Sequence, residues 1–418
     1  MIDELVAYLQ IAPWPLQPDV IFWSALMLVT GGSLGELVFR KAGLPRIVGY
    51  SAVGMVIAVI GHGSGDHYLN GAVRVIVDLA LGLLLFELGS RVSLRWLRAN
   101  PALLLTSVAE SFFSFCAVFV ALRCLDLSLN VALACATLTL ATSAAVVGRV
   151  SSELHSAGQV TERMIIMTAL NTLFAVLLHK LVIGWLHLDT AGDWMAAITQ
   201  PLYTFGGSIL VAALLWRLVA WIARRLDLRD ENSVLLLLGL ILLALTTARM
   251  LNLSTLLVPL LAGVLLRNTT QRPWVWPRHF GTAGGVLVLM LFVIVGASWS
   301  LPALAIGGAT AVVLLLVRIV SKGAVVAAGA HWSGISVRQS LALSMALTPI
   351  SGTALVLLAD LQISHPAFAT QVSPIVFSAI AIMELLGPII VQWGLRIAGE
   401  LPGRTAPANN FNSKGGRP

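Results

Sequence analysis

The chain has 418 residues, 58% of them hydrophobic and only 11% charged, with a mean hydropathy of +0.91. No water-soluble core can take in that much apolar surface, so a soluble globular fold is excluded. The formal net charge of +7 gathers in particular connections between apolar runs and needs no nucleic acid to account for it.

In chain order, a short acidic segment (1–19, with Asp3, Glu4 and Asp19) leads into about thirteen apolar runs. They lie near 20–38, 44–62, 72–90, 101–123, 129–150, 162–186, 200–223, 232–250, 254–267, 279–298, 302–331, 338–360 and 370–395. Most hold roughly 20 residues, enough to cross ~30 Å of hydrocarbon. The run at 254–267 is short, and 302–331 is long enough to require tilt. The pattern predicts an all-α polytopic membrane protein, a single transmembrane unit over 20–398 with a short tail over 399–418. The opening residues lack a basic n-region and a cleavage site, so no signal peptide is expected. Cys116, Cys124 and Cys135 show no ligand spacing and read as packing residues.

Positive charge sets the expected orientation. One set of alternate connections carries Arg40, Lys41 and Arg46, then Arg91, Arg95 and Arg98, then Arg149 and Arg163. It continues with Arg224, Arg225 and Arg229, then Arg267, Arg272 and Arg278, and ends with Arg338 and Arg396. The other set holds little beyond Arg74, Arg123, Lys180 and Arg249. The positive-inside rule makes the first set cytoplasmic. An odd number of spans then puts the N-terminus outside and the basic tail (Arg404, Lys414, Arg417) in the cytoplasm. A bacterial inner membrane is the expected location.

Two runs are interrupted by polar, helix-disfavouring residues: Thr142-Ser143 in the fifth, and Thr348-Pro349-Ile350-Ser351-Gly352 in the twelfth. Breaks seven runs apart fit two six-helix halves of opposite orientation, 20–186 and 232–398, joined by a linker helix at 200–223. Matched broken helices mark the midplane binding site in transporters built this way. Unwound backbone at that depth survives only inside protein or beside a wet cavity.

Several stretches resemble one family, the monovalent cation:proton antiporters of the sodium/proton exchanger fold. GLPRIVGYSAVGMVI resembles the opening of its second helix, and DLALGLLLFELGSRVSL its third. STLLVPLLAGVLLRN followed by LVLMLFVIVGASWSL resembles the paired helices of its second half. KGAVVAAGAHWSGISVRQSLALSMAL resembles its lysine-bearing helix and the break that follows. Together these cover most of 20–395, and their order and spacing carry the match. The most similar branch includes potassium-efflux antiporters that carry a soluble domain, for which no counterpart is expected within these 418 residues.

The resemblance implies an elevator-like exchanger, commonly a homodimer in the lipid bilayer. A core of runs four to six and eleven to thirteen would move past a scaffold of the rest. In the family, ion and proton compete for an Asp on the sixth helix. Here TERMIIMTALNTLFAVLL aligns that Asp with Thr172 and the preceding position with Asn171, and Met167 stands where electroneutral members carry a Glu. The basic residue of the eleventh helix matches Lys322, with Arg318 one turn earlier.

A hydroxyl does not titrate near neutral pH, so Thr172 cannot carry a proton as Asp does. Hydroxyls, an amide and unwound carbonyls can still ligate a hard alkali cation, which makes Thr142, Ser143, Asn171, Thr172, Thr348 and Ser351 the candidate ion ligands. Proton coupling then falls to ionisable groups buried in the apolar runs. Glu110 and Glu384 lie about nine and twelve residues into their runs, near midplane at ~1.5 Å of rise per residue. They are the candidate proton carriers, Glu110 first, with Lys322 and Arg318 as charge partners. Alternatively, both glutamates simply neutralise those two cations.

Three functions follow from these residues. One is exchange of Na⁺ or K⁺ for H⁺; a second is a carrier or facilitator without proton coupling; a third is a transport-inactive member of the same fold. No nucleophile motif or metal-ligand cluster occurs in the connections, so neither an enzyme nor a cofactor or resident metal is expected. Glu36 with Arg40 and Glu87 with Arg91 read as interfacial ion pairs, and Asp78 lies i,i+4 from Arg74. His179-Lys180 is expected to snorkel to headgroups and His331 to be solvated.

Overall fold

The computed structural model describes residues 20–60, 71–192, 194–225, 231–269 and 280–402. The opening segment with Asp3, Glu4 and Asp19, the loop cations Arg229, Arg272 and Arg278, and the tail cations Arg404, Lys414 and Arg417 lie outside the described residues. Within them the chain forms sixteen α-helices. They are α1 (Val20–Leu37, closed by a π-turn), α2 (Arg46–Ile60), α3 (Gly71–Arg91), α4 (Leu94–Ala99), α5 (Pro101–Cys124), α6 (Leu129–Leu138), α7 (Ala144–Glu153) and α8 (Gln159–Ala191). The second half gives α9 (Trp194–Arg225), α10 (Glu231–Met250), α11 (Leu257–Thr269), α12 (Phe280–Ala297), α13 (Leu301–Ser333), α14 (Val337–Ala346), α15 (Gly352–Ser364) and α16 (Pro366–Ala398).

Both expected breaks are present. α6 stops at Leu138, Thr139 Oγ1 donates back to the Cys135 carbonyl at 2.7 Å, and Ser143 restarts the chain by accepting the Val146 N–H at 3.2 Å. α14 opens on a capping box between Ser336 and Gln339 and stops short of Pro349, which has no N–H to continue a helix.

Six helices among the described residues are individually long and apolar enough to cross a membrane: α1 with its π-turn, α5, α8, α9, α13 and α16. The other seven expected runs do not each form one described helix that is long and apolar enough by itself. Two are the broken pairs α6/α7 and α14/α15; α2, α10, α11 and α12 have short apolar stretches; and α3 carries Arg74, Asp78, Glu87 and Arg91. α8, α9, α13 and α16 extend beyond the apolar runs that announced them, because polar residues at the ends continue the helix. α13, at 33 residues, spans about 50 Å by its rise, well beyond the hydrocarbon thickness.

The helices pack as two bundles. One joins α5, α6, α7 and α8 to α13, α14, α15 and α16, with α13 lying along α5 and α16 and the broken helices crossing between them. The other packs α3 on α11 and α2 on α12, flanked by α1, α9 and α10. Those two crossings are built alike. A Cβ at Gly54 of α2 would run into the Val293 carbonyl of α12, and one at Gly296 of α12 into the Ser51 carbonyl of α2. Likewise a Cβ at Gly89 of α3 would meet the Leu260 carbonyl of α11, and one at Gly263 of α11 the Phe86 carbonyl of α3. Small residues that let backbones touch are the main adhesive between membrane helices. Gly54→Val and Gly263→Val should each cost about 1–3 kcal/mol by overpacking, read as a lower melting temperature in detergent. Gly239→Ala, with open space at its Cβ position, should leave it unchanged.

The bundle of broken helices is also stitched at its ends. After α16, Glu400 turns back and its carboxylate accepts the N–H groups of Val160 and Thr161, both at 2.7 Å, at the start of α8. The Ala157 N–H donates to the Glu400 carbonyl.

Candidate ion site at the crossing of the broken helices

Where α6–α7 and α14–α15 cross, the two breaks hold each other by backbone. The Ser143 N–H donates to the Pro349 carbonyl at 2.9 Å, and Thr142 Oγ1 to the Leu347 carbonyl at 3.0 Å. Arg318 of α13 is wholly buried against this crossing. Its Nε donates to the Thr139 carbonyl at 2.6 Å, Nη2 to Ala141 at 3.1 Å, and Nη1 to Thr348. All these carbonyls follow the C-terminal ends of α6 and α14, where the helix dipoles leave partial negative charge. The guanidinium is therefore compensated by backbone and, among the described residues, has no carboxylate partner.

One turn along α13, Lys322 is equally buried and forms an ion pair with Glu110 of α5, also buried. Lys322 Nζ reaches Thr142 Oγ1 at 3.4 Å, and the Asn171 amide of α8 donates to the same hydroxyl at 3.2 Å. Asn171 Oδ1 accepts from Ser111 at 3.0 Å and from Ser107 at 3.4 Å, both on α5. Glu110, Lys322, Thr142, Asn171, Ser107 and Ser111 thus form one enclosed polar cluster contributed by both halves of the chain. It joins a titratable pair to neutral oxygens suited to a hard monovalent cation.

The other expected ligands lie nearby with their hydroxyls partly committed. Thr172 donates to the Thr168 carbonyl at 2.9 Å, Thr348 to the Met345 carbonyl at 2.8 Å, and Ser143 serves as the α7 cap. Ser351 is buried at the start of α15 and bonds to none of these. Glu384 of α16 is buried too but reaches neither Arg318 nor Lys322, so of the two glutamates only Glu110 neutralises a cation there. Ser107 and Ser111 escaped the sequence reading, although Ser107, Glu110, Ser111 and Ser114 follow i, i+3, i+4, i+7, a buried polar stripe in an apolar helix.

The peripheral expectations divide. Glu36 pairs with Arg40 at 2.6 Å and Glu87 with Arg91 at 2.8 Å. His331 is exposed. Asp78 lies 3.9 Å from Arg74 but is held chiefly by Arg249 of α10. His179 and Lys180 do not snorkel: both are buried, and Lys180 pairs with Asp360 of α15 at 2.6 Å, because a carboxylate 180 residues away supplies the partner that headgroups were expected to be. At the other end of the bundles, the Arg46 N–H and Nη1 of α2 donate to Glu153, the last residue of α7, at 3.1 and 3.0 Å. Burial pushes the Glu153 carboxyl up from its ordinary value, while Arg46 pulls it back.

With this geometry in view, the comparisons with known proteins are specific. The family model for "Sodium/hydrogen exchanger, transmembrane" matches residues 25–396. Two structures of the sodium proton antiporter MjNhaP1 from Methanocaldococcus jannaschii are similar in fold. One, determined at pH 8, has a TM-score of 0.68 at 17% identity, covering 91% of this chain and 98% of the other. The second, an electron-microscopy structure, has a TM-score of 0.70 at 17% identity, covering 93% and 100%. No curated protein matches the sequence.

Proposed function

The chain belongs to the sodium/hydrogen exchanger family, a family of multi-pass membrane transporters, and we propose that it exchanges Na⁺ or K⁺ for protons with Glu110 in the role of the absent helix-borne Asp. The observation that carries this reading is the buried Glu110–Lys322 pair set against the crossing of two broken helices. The carboxylate has a tethered cation as its resting partner. An alkali ion entering the cluster takes the place of Lys322 on Glu110, with the oxygens of Asn171, Ser111 and Thr142 replacing part of its hydration shell. Thr172, whose own proton is given to the Thr168 carbonyl, keeps a lone pair free for the same ion. A proton taken up by Glu110 then displaces the cation.

Movement of the broken-helix bundle against the flanking bundle, in the manner of an elevator, would expose the cluster to either side in turn. Close glycine crossings within the flanking bundle support that division. The charge distribution supports an outside N-terminus and a cytoplasmic C-terminus in a bacterial inner membrane, and the resemblance supports a homodimer.

The test is reconstitution in liposomes with an internal pH dye, adding Na⁺, K⁺ or Li⁺ outside. Wild type is expected to alkalinise the interior with Na⁺ or K⁺. Silence in wild type with activity in Thr172→Asp would overturn a relocated carrier and leave a scaffold that has lost its ion chemistry. That second reading has one observation in its favour, the hydroxyl at 172 itself.

A further inference from the structure

Glu384 lies on α16 where the two bundles meet. Ser51 of α2, in the flanking bundle, donates to its Oε1 at 3.4 Å, and Ser351, which precedes α15 without a side-chain capping bond, borders it from the second break. Ser51 is part of the close α2–α12 crossing, its carbonyl lying beside Gly296. Gly387, one turn after Glu384, packs on Pro349, so this face of α16 looks at the break. The carboxyl is 0% exposed, and its Oε2 and the Ser351 Oγ are both buried without a hydrogen-bond partner.

Among the described residues, no neighbouring helix places a charged group against it. Arg318 is spent on carbonyls and Lys322 on Glu110. Arg46 is held by Glu36 and Glu153, Arg149 lies by Tyr50 and Glu153, and Lys180 pairs with Asp360. An ionised carboxylate without a partner is costly in such a place. The partial positive charge at the start of α15 offsets only a fraction of a unit charge.

We propose that Glu384, with Ser51 and Ser351, is a second proton-binding site at the junction of the bundles, separate from the Glu110–Lys322 pair. A proton on Oε2 supplies the donor that the Ser351 oxygen can accept, satisfying both unpartnered atoms, while Ser51 continues to donate to Oε1. The junction can then close on a neutral group. Displacement of α16 from α2 removes Ser51, admits water and lets the proton leave. The inference deepens the exchange reading, and in transport it rests on it.

The experiment does not depend on transport. The purified protein in lipid nanodiscs is treated with dicyclohexylcarbodiimide, which adds to a protonated, buried carboxyl and leaves a stable N-acylurea, and the adduct is mapped by mass spectrometry. Modification is expected on the peptide containing Glu384, retained in Glu110→Gln and lost in Glu384→Gln. Its rate should fall about tenfold per pH unit once the pH exceeds the titration point of the group. Modification of Glu110 with Glu384 untouched, or labelling of Glu384 that ignores pH, would overturn the proposal. Wild-type liposomes that fail to exchange, with Glu384 still labelled, would count against the exchange reading alone.

Discussion

Glu110→Gln is expected to abolish cation-dependent alkalinisation and to destabilise the protein by about 3–5 kcal/mol, because removing one member of a buried pair strands the other as an unpaired charge. Stability loss alone would also silence transport, so the informative variant is the double substitution Glu110→Gln with Lys322→Gln. It removes both charges together and leaves two amides that can hydrogen-bond to each other across the same gap, so neither side chain is stranded. The double variant should therefore melt near wild type yet remain inactive in liposomes. Glu110→Asp keeps a titratable carboxyl one methylene further back and should retain partial exchange with a weaker apparent cation affinity. If the double variant still moved cations, the pair would be a structural tie and the transport a facilitated flux through Asn171 and Thr172.

The second large effect falls on Arg318 and is one of stability. Arg318→Met leaves the carbonyls of Thr139, Ala141 and Thr348 without their donor in a buried crossing. At about 1–3 kcal/mol for each of the three stranded groups, the total is expected to reach about 3–9 kcal/mol, read as loss of the monodisperse peak in fluorescence-detected size exclusion. Arg318→Lys preserves the charge opposite the ends of α6 and α14 but not the fork that serves several acceptors at once. It should recover only part of the loss. A wild-type melting temperature in Arg318→Met would mean that the breaks are held by something other than this side chain.

These two cations show where the sequence could be read and where it could not. Apolar runs, the Thr142-Ser143 and Pro349 interruptions and the spacing of Arg318 and Lys322 are local signals, and the helices they announce are present. Which glutamate meets which cation depends on the register of α5 against α13, set by side chains that only touch once the bundle is built. The partners of Arg318 were hidden for a different reason: they are backbone carbonyls, which every residue has. The Lys180–Asp360 pair joins helices from opposite halves, so a lysine that looked interfacial from its own neighbours is internal. The serines around Glu110 were legible by helical period, but a polar stripe within one apolar run says nothing of the Asn171 amide that it meets.

The paired glycine crossings carry a mechanical implication. With backbone resting on backbone at Gly54, Gly296, Gly89 and Gly263, the four helices concerned have almost no side-chain cushion to compress or slide. A frame so stiff cannot share in a conformational change by bending. In the proposed exchange, displacement would be concentrated at the seam between the bundles, where α8 packs along α9, Arg46 meets Glu153, Gln392 donates to the Gly43 carbonyl and Ser51 meets Glu384. The rate of that movement would then be set by how quickly the seam contacts open and reform, and not by the compliance of the helices themselves.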